Sequence, residues 1–204
     1  MVKRVLKRGF TLVELMIVVA IIGVLAALAI YGVRKYLNNA KTAEAREALG
    51  RISKDASAAY TRENMAATLI APGSASGISN RLCGKADNSV PASKDSIKAM
   101  KYQSAPSEWN QGSQTAGWEC LKFTMQDPQY FMYSYTATNP TADDGSMVAS
   151  AQGDLNGDGN LSTFSLAGGV KKEGSVKVFV TAPNISELNP DEYLQGTTLQ
   201  AEYV

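Results

Sequence analysis

Three residues near the N-terminus have the types and the spacing for chemistry: Gly9, Phe10 and Glu14. Glu14 is the only charged residue in the segment 10–33. A carboxylate in a membrane helix costs about 2.5–3.5 kcal/mol at the helix centre, less near its end, and usually has a function. Cleavage after Gly9 would create an amino group on Phe10, which could pair with Glu14 of its own chain or of a neighbouring copy. The alternative is a carboxylate favoured by the dipole at the start of a helix.

The element that must position Glu14 is an apolar segment of 24 residues, 10–33, behind a basic leader. As a helix it is about 36 Å long, which is enough to cross the hydrocarbon core of a membrane. The four basic residues of the leader predict that the leader stays in the cytoplasm and that the rest of the chain is exported. The alternative is a conventional secretory signal cut near residues 27–29. Against it, the apolar segment is long, contains Glu14 and continues as a helical pattern past Arg34.

The leader, the string GFTLVEL at residues 9–15 and the apolar segment together resemble the prepilin motif of type IV pilins and type II secretion pseudopilins. In that family a membrane-bound prepilin peptidase cleaves after the glycine, here Gly9, and N-methylates the new first residue, here Phe10. The glutamate, here Glu14, directs assembly into a filament whose core is a bundle of apolar helices. Many such pilins have a proline at the position of Tyr31, which this chain lacks.

The resemblance also implies partners and a location. It implies a homo-oligomeric helical filament that is built by a pilus assembly machinery. The precursor is expected in the bacterial inner membrane, and the assembled protein in an extracellular pilus, or fimbrium. The predicted function is therefore that of a structural pilus subunit that supports twitching motility and adhesion. Two alternatives stay open: a type II secretion pseudopilin, and a membrane-anchored exported binding domain that never polymerises.

The rest of the chain predicts a helix followed by a sheet. Apolar positions recur at helical spacing beyond residue 33, so we predict one helix over residues 10–62, apolar first and amphipathic afterwards. The predicted divisions are a leader (1–9), the apolar helix (10–33), its amphipathic half (34–62), a connecting loop (63–116), an antiparallel sheet (117–182) and a C-terminal tail (183–204). Strand patterns occupy 117–125, 129–138, 147–152, 161–167 and 176–181, with a turn at 168–169 among others, and a short helix or turn is predicted at 94–101. The fold class is α+β, a long N-terminal helix packed on a C-terminal antiparallel β-sheet, as in pilins.

The chain has two cysteines, Cys83 and Cys120, and both follow the apolar segment. Disulfides form in exported proteins, so we predict a bond between them. Such a bond would stabilise the protein by about 3–4 kcal/mol if it is unstrained. It would tie the connecting loop to the first predicted strand, at the edge of the sheet. The alternative is a pair of free buried thiols.

One segment has the composition of a calcium loop. Its oxygen-bearing side chains alternate, at Asp154, Asn156, Asp158 and Asn160. Gly159 stands where a calcium loop turns sharply, but the twelfth position is Ser165 instead of a bidentate glutamate. The same residues also favour an ordinary hairpin turn. Both interpretations stay open, and the sequence predicts no cofactor other than this calcium ion.

Composition argues against several other functions. The chain has no histidine, so it lacks the commonest general base and the commonest neutral metal ligand. It also has no nucleophile motif and no phosphate-binding glycine loop, so we expect that it is not an enzyme. Its formal charge of +1 becomes −3 without the four basic residues of the leader, which does not predict a nucleic-acid partner.

Overall fold

A single long helix, α1, begins near the N-terminus. The computed structural model describes residues 9–62, 64–65 and 78–188, and α1 spans Leu12–Thr61, 50 residues. The helix predicted over residues 10–62 is therefore confirmed. The chain divides into two compact units, residues 1–41 and 42–204. Residues 1–8 of the predicted leader lie outside the described residues.

In the first unit, the stretch Leu12–Val33 of α1 is long and apolar enough to cross a membrane, and it is the one such helix in the described part of the chain. None of this stretch is buried. A helix that is apolar on every face needs either lipid or other helices around it. The length and apolarity predicted for this segment are confirmed.

In the second unit, the last turns of α1 pack on the sheet through small and aliphatic side chains. Ala45, Leu49, Ile52 and Ala56 are fully buried, and their spacing of four, three and four residues places them on one helical face. They join a core that contains the aromatic rings of the sheet and of the connecting segment. The amphipathic pattern predicted for this half of the helix is confirmed.

The sheet is antiparallel, and with α1 it makes the α+β fold that the sequence predicts. Its strands are β4 (Met132–Thr138), β5 (Ser146–Gly153), β6 (Ser162–Glu173), β7 (Val176–Thr181) and β8 (Ser186–Leu188). Their order is β4-β5-β6-β7, and β8 also pairs with β6, beside the part that β7 leaves uncovered. Alternate residues of β4, β5 and β6 are buried, so one face covers the core and the other faces solvent.

The connecting segment contains short elements where we predicted a loop. They are β1 (Asn64–Met65), β2 (Ile78–Ser79), a 3-10 helix (Lys94–Ile97), α2 (Pro106–Trp109) and β3 (Gly112–Ser113). The helix or turn predicted at 94–101 is confirmed by the 3-10 helix, where the Ser93 hydroxyl accepts a hydrogen bond from the Asp95 N–H. Residues 63 and 66–77 of the predicted loop lie outside the described residues.

The first predicted strand, 117–125, is wrong. Its first residues form a short helix, α3 (Gly117–Leu121), which ends at Lys122 in the left-handed conformation, with φ of 59°. Gly117 has φ of +76°, and a Cβ there would lie 2.6 Å from the Gln111 carbonyl oxygen, so the chain turns at a position that only glycine tolerates. Trp118 and Cys120 are both buried, and their spacing of two residues is that of a strand. Leu121, the next residue, is buried as well, which one turn of helix allows and an alternating strand does not.

Two further boundaries need correction. Gly168 and Gly169 lie inside β6 and do not form the predicted turn. A Cβ on Gly168 would lie 2.9 Å from a ring atom of Phe179, so glycine is needed there for close packing between β6 and β7. The predicted tail, 183–204, begins with strand β8, and residues 189–204 lie outside the described residues.

Candidate functional site

The predicted cleavage point lies just before α1. Gly9 and Phe10 are exposed and not helical, and the Phe10 side chain is 85% exposed. A Cβ on Gly9 would meet no atom within 4 Å, so the fold does not require glycine at this position. The bond between the two residues is therefore accessible to a peptidase.

Glu14 closes a capping box with Thr11, the residue before the first turn of α1. The Glu14 N–H donates to Thr11 Oγ1 over 3.3 Å, and Glu14 Oε2 accepts from the Thr11 N–H over 2.9 Å. The Thr11 hydroxyl also donates to Glu14 Oε2 over 2.7 Å. Two backbone N–H groups at the start of α1 are thus satisfied reciprocally. The Thr-x-x-Glu spacing before an apolar run is the sequence signal for this cap, and our sequence expectations did not include it.

The cap leaves part of the carboxylate available. Both bonds from Thr11 end on Oε2, and Glu14 Oε1 accepts no hydrogen bond from any residue that the structure describes. Thr11 and Glu14 both lie after the predicted cut, so the cap would persist in a processed chain. The carboxylate can therefore cap its own helix and still accept a hydrogen bond from an amino group.

The two cysteines are bonded, as predicted. Cys83 and Cys120 form a disulfide with a Cα–Cα distance of 5.8 Å, and no free cysteine exists in the chain. Cys120 lies in α3 and not in a strand, so the bond joins the connecting segment to this helix instead of to the edge of the sheet. Arg62 donates from Nη2 to the Cys120 carbonyl oxygen over 2.6 Å, which also ties α3 to the residue that follows α1.

The predicted calcium loop joins β5 to β6, and its acidic side chains bind its own backbone. Asp154 is only 3% exposed; its Oδ1 accepts from the Gly157 N–H over 2.7 Å and its Oδ2 from the Gly159 N–H over 2.9 Å. Similar local bonds link Asn156 Oδ1 to the Asp158 N–H, over 3.1 Å. These bonds are the ones that Asp and Asn form in turns.

The same side chains show limited fit to a metal ion. The described residues contain no group of three or more histidine, cysteine, aspartate or glutamate side chains that could hold a metal ion. Asn160 contributes its backbone N–H to Asp158 Oδ1 over 2.8 Å, so the loop is organised by hydrogen bonds between neighbours. Calcium binding at Asp154, Asn156, Asp158 and Asn160 stays a prediction.

A second carboxylate of α1, Glu44, has a structural role that the sequence did not indicate. It is partly buried, and its Oε1 accepts from the Tyr130 N–H over 2.8 Å and from the Tyr133 hydroxyl over 3.2 Å. Burial raises the pKa of Glu44, although these hydrogen bonds and the charge of Lys101 act in the opposite direction. Burial also raises the pKa of the Tyr133 hydroxyl, so that side chain remains a neutral donor.

Comparison with known proteins agrees with the N-terminal geometry. Residues 4–30 match the family model of the prokaryotic N-terminal methylation motif, the signature of type IV pilins and their precursors. No curated protein and no solved structure matches the chain. The matched region contains Gly9, Phe10 and Glu14, and the motif implies processing by a prepilin peptidase and assembly into a pilus or pseudopilus. With its apolar helix, the chain has the features of an exported pilin-like or pseudopilin protein with a membrane-anchored precursor.

Proposed function

We propose that this protein is a structural subunit of an extracellular type IV pilus. In this proposal the chain is cut after Gly9, N-methylated on Phe10 and assembled through α1 into a filament that supports twitching motility and adhesion. The observation that carries the proposal is the methylation motif at the start of an exposed apolar helix, with Glu14 Oε1 available close to the new terminus. The role is structural, and we propose no catalytic activity.

Assembly has to cover the apolar surface of α1 and to neutralise the charge of Glu14. Before assembly, lipid surrounds the exposed stretch Leu12–Val33. In a filament, the same stretch of neighbouring copies would replace the lipid, but an unpaired Glu14 carboxylate would be costly there. Pairing Glu14 with the Phe10 amino group of a neighbour neutralises both charges and sets the register between helices.

Two variants distinguish the role of Glu14 in the capping box from its role in the proposed pair with a neighbouring copy. Glu14→Gln keeps a side chain that can reach back to the Thr11 N–H, but it removes the charge. Thr11→Ala removes the hydroxyl bonds of the cap and keeps the charge. We expect Glu14→Gln to abolish filaments, and Thr11→Ala to lower helix stability by about 0.5–2 kcal/mol without abolishing them. Filaments are measured by electron microscopy of cell surfaces.

Mass spectrometry of the N-terminus serves as the control for processing. We expect a chain that starts at methylated Phe10 in the wild type and in both variants. A normal yield of filaments from Glu14→Gln would show that the charge has no role in assembly. A mature chain that starts near residue 30 would show that the segment is a secretory signal, and the proposal would be wrong.

The second candidate is a type II secretion pseudopilin, because the same motif occurs in that class. Calcium bound in the loop between β5 and β6, at Asp154 and its neighbours, would favour this candidate, since some pseudopilins carry calcium in their sheet region. The same electron microscopy detects surface filaments, and a deletion strain shows whether protein secretion needs this chain. A processed protein that makes no surface filament and is needed for protein secretion would support this candidate. A processed chain that neither polymerises nor supports secretion would fit a membrane-anchored binding domain.

A further inference from the structure

Among the residues that the structure describes, strand β7 leaves one edge of the sheet open. In the part of the chain that the structure describes, β7 pairs with β6 and with no other strand. The opposite edge is formed by β4, and Val90 of the connecting segment covers it. Val90 and Tyr133 each donate a backbone N–H to the carbonyl oxygen of the other. On the solvent side of β7, Val176, Val178 and Val180 are 63%, 39% and 38% exposed. An edge strand with exposed β-branched residues favours pairing with another strand.

The hairpin between β6 and β7 determines which backbone groups of β7 point outward. Glu173 and Val176 flank a turn of two residues, so they form the hydrogen-bonded pair that closes the hairpin, and the pairing alternates from there. The Ala182 N–H donates to the Ala167 carbonyl oxygen over 2.8 Å, which continues the same alternation. Even-numbered residues of β7 therefore bond to β6. The N–H and C=O groups of the odd-numbered residues point away from the sheet, at Lys177, Phe179 and Thr181.

We propose that β7 pairs with β7 of a second copy of this chain. The two strands run antiparallel around a two-fold axis at Phe179. Phe179 then bonds to its own counterpart, and Lys177 bonds to Thr181 of the second copy. In this register Val178 lies directly opposite the second copy's residue 180, and the exposed valines form cross-strand pairs on the solvent side.

The charge pattern of β7 identifies the occupant. Lys177 is the only charged residue of the strand, and it forms an ion pair with Asp143. In the proposed register Lys177 faces a neutral threonine, so no like charges meet. Natural edge strands usually avoid pairing through several charges, a proline or a bulge, and β7 has a single, neutralised lysine. In this register the strand therefore meets its own copy without charge repulsion, and its exposed valines face each other.

This contact goes beyond the proposed function. A two-fold contact uses the same patch on both copies and closes on itself, so it cannot propagate a filament. The contact proposed for Glu14 and Phe10 is of the propagating kind. Pairing through β7 would join two precursors, or two filaments side by side.

Cysteine cross-linking of the full-length protein tests the register. Residues 178 and 180 of the two copies would be a non-hydrogen-bonded pair, with Cα atoms about 4.5 Å apart, which a disulfide can bridge. Val178→Cys and Val180→Cys are made as single variants and are expressed alone and together. We expect a covalent dimer on a non-reducing gel from the mixture, and loss of that dimer when either variant is expressed alone.

The matched control is a mixture of Val176→Cys and Val178→Cys. Val176 is the most exposed of the three valines, but in the proposed register it does not face residue 178. A covalent dimer in the control mixture at the same yield, or no dimer in the test mixture, would overturn the proposal. The measurement does not require filaments, so it can be made in detergent on the assembly-defective Glu14→Gln variant, and its outcome is separate from that of the proposed function.

Discussion

Two glutamates of α1 are held by hydrogen bonds in different environments. Glu14 is exposed and caps its own helix, and Oε1 takes no part in that cap. Glu44 is partly buried, and its Oε1 holds the Tyr130 N–H and the Tyr133 hydroxyl. One carboxylate therefore keeps an oxygen available for a further donor, whereas the other fastens α1 to the start of the sheet.

The buried position of Glu44 predicts a pH dependence of stability. Burial raises the pKa of Glu44 above its ordinary value of 4.5, so the folded state holds this proton more tightly than the unfolded chain does. The resulting contribution to stability is fully present below pH 4.5 and is lost as the pH rises through the raised folded pKa. Glu44→Gln removes the titration and keeps an acceptor oxygen. We expect the melting temperature of the wild type to fall, relative to Glu44→Gln, as the pH rises above 4.5.

Thermal unfolding of the detergent-solubilised protein at several pH values measures this difference. The pKa of Asp55 is also raised by burial, and because both proteins keep Asp55, the comparison isolates Glu44. Glu44→Ala is the second variant; it removes the carboxylate that accepts from the Tyr130 N–H and the Tyr133 hydroxyl and is expected to cost about 1–3 kcal/mol. Parallel pH curves for the wild type and Glu44→Gln would show that the titration of Glu44 does not affect folding.

At the scale of elements, the turn between β5 and β6 depends on one buried side chain. Asp154 accepts the N–H groups of Gly157 and Gly159, and both glycines have positive φ, 81° and 94°. Glycine adopts such angles without strain, and the carboxylate then satisfies the donors that the turn exposes. The Asp154 carboxylate therefore satisfies two backbone donors of the turn.

This geometry predicts the effect of removing the carboxylate. Asp154→Ala leaves two N–H groups of the turn without their acceptor, and we expect the free energy of unfolding to fall by about 1–3 kcal/mol. Denaturant unfolding in the presence of a chelator measures the loss. Isothermal calorimetry with calcium tests the other interpretation of the same loop. Heat uptake or release at millimolar calcium would support the predicted site, and no heat would remove it.

At the scale of the whole molecule, the disulfide joins the connecting segment to α3. Cys83 and Cys120 are 37 positions apart, and both are almost fully buried in the main core. A cross-link over that distance restricts the unfolded chain and also holds α3 in place. We expect replacement of both cysteines by serine to lower the free energy of unfolding by about 3–4 kcal/mol.

Reduction of the wild type provides a matched control for that double variant. A reducing agent should destabilise the wild type by a similar amount and leave the variant unchanged. The measurement is denaturant unfolding with and without the reductant. Equal stability of the reduced and oxidised wild type would mean that packing of the core alone holds this region.

Much of the fold and of the site could be predicted because the signals are local. A run of apolar residues predicts a helix at every position from Leu12 to Val33, and the motif around Gly9, Phe10 and Glu14 is contiguous in the chain. Alternation of apolar and polar residues similarly predicted β4, β5, β6 and β7, which are long enough for the period of two to be recognised. These features depend on neighbours in the sequence, so the sequence alone determined them.

Tertiary structure decided the features that depend on distant contacts. The segment at Gly117 forms a helix because the backbone of Gln111 lies against that glycine, and Gly168 stays inside β6 because the ring of Phe179 packs over it. Likewise, only the pairing of β7 with β6 determines which backbone groups point outward at the open edge. Short segments have too few residues to show a period, so their structure is set by the atoms that pack against them.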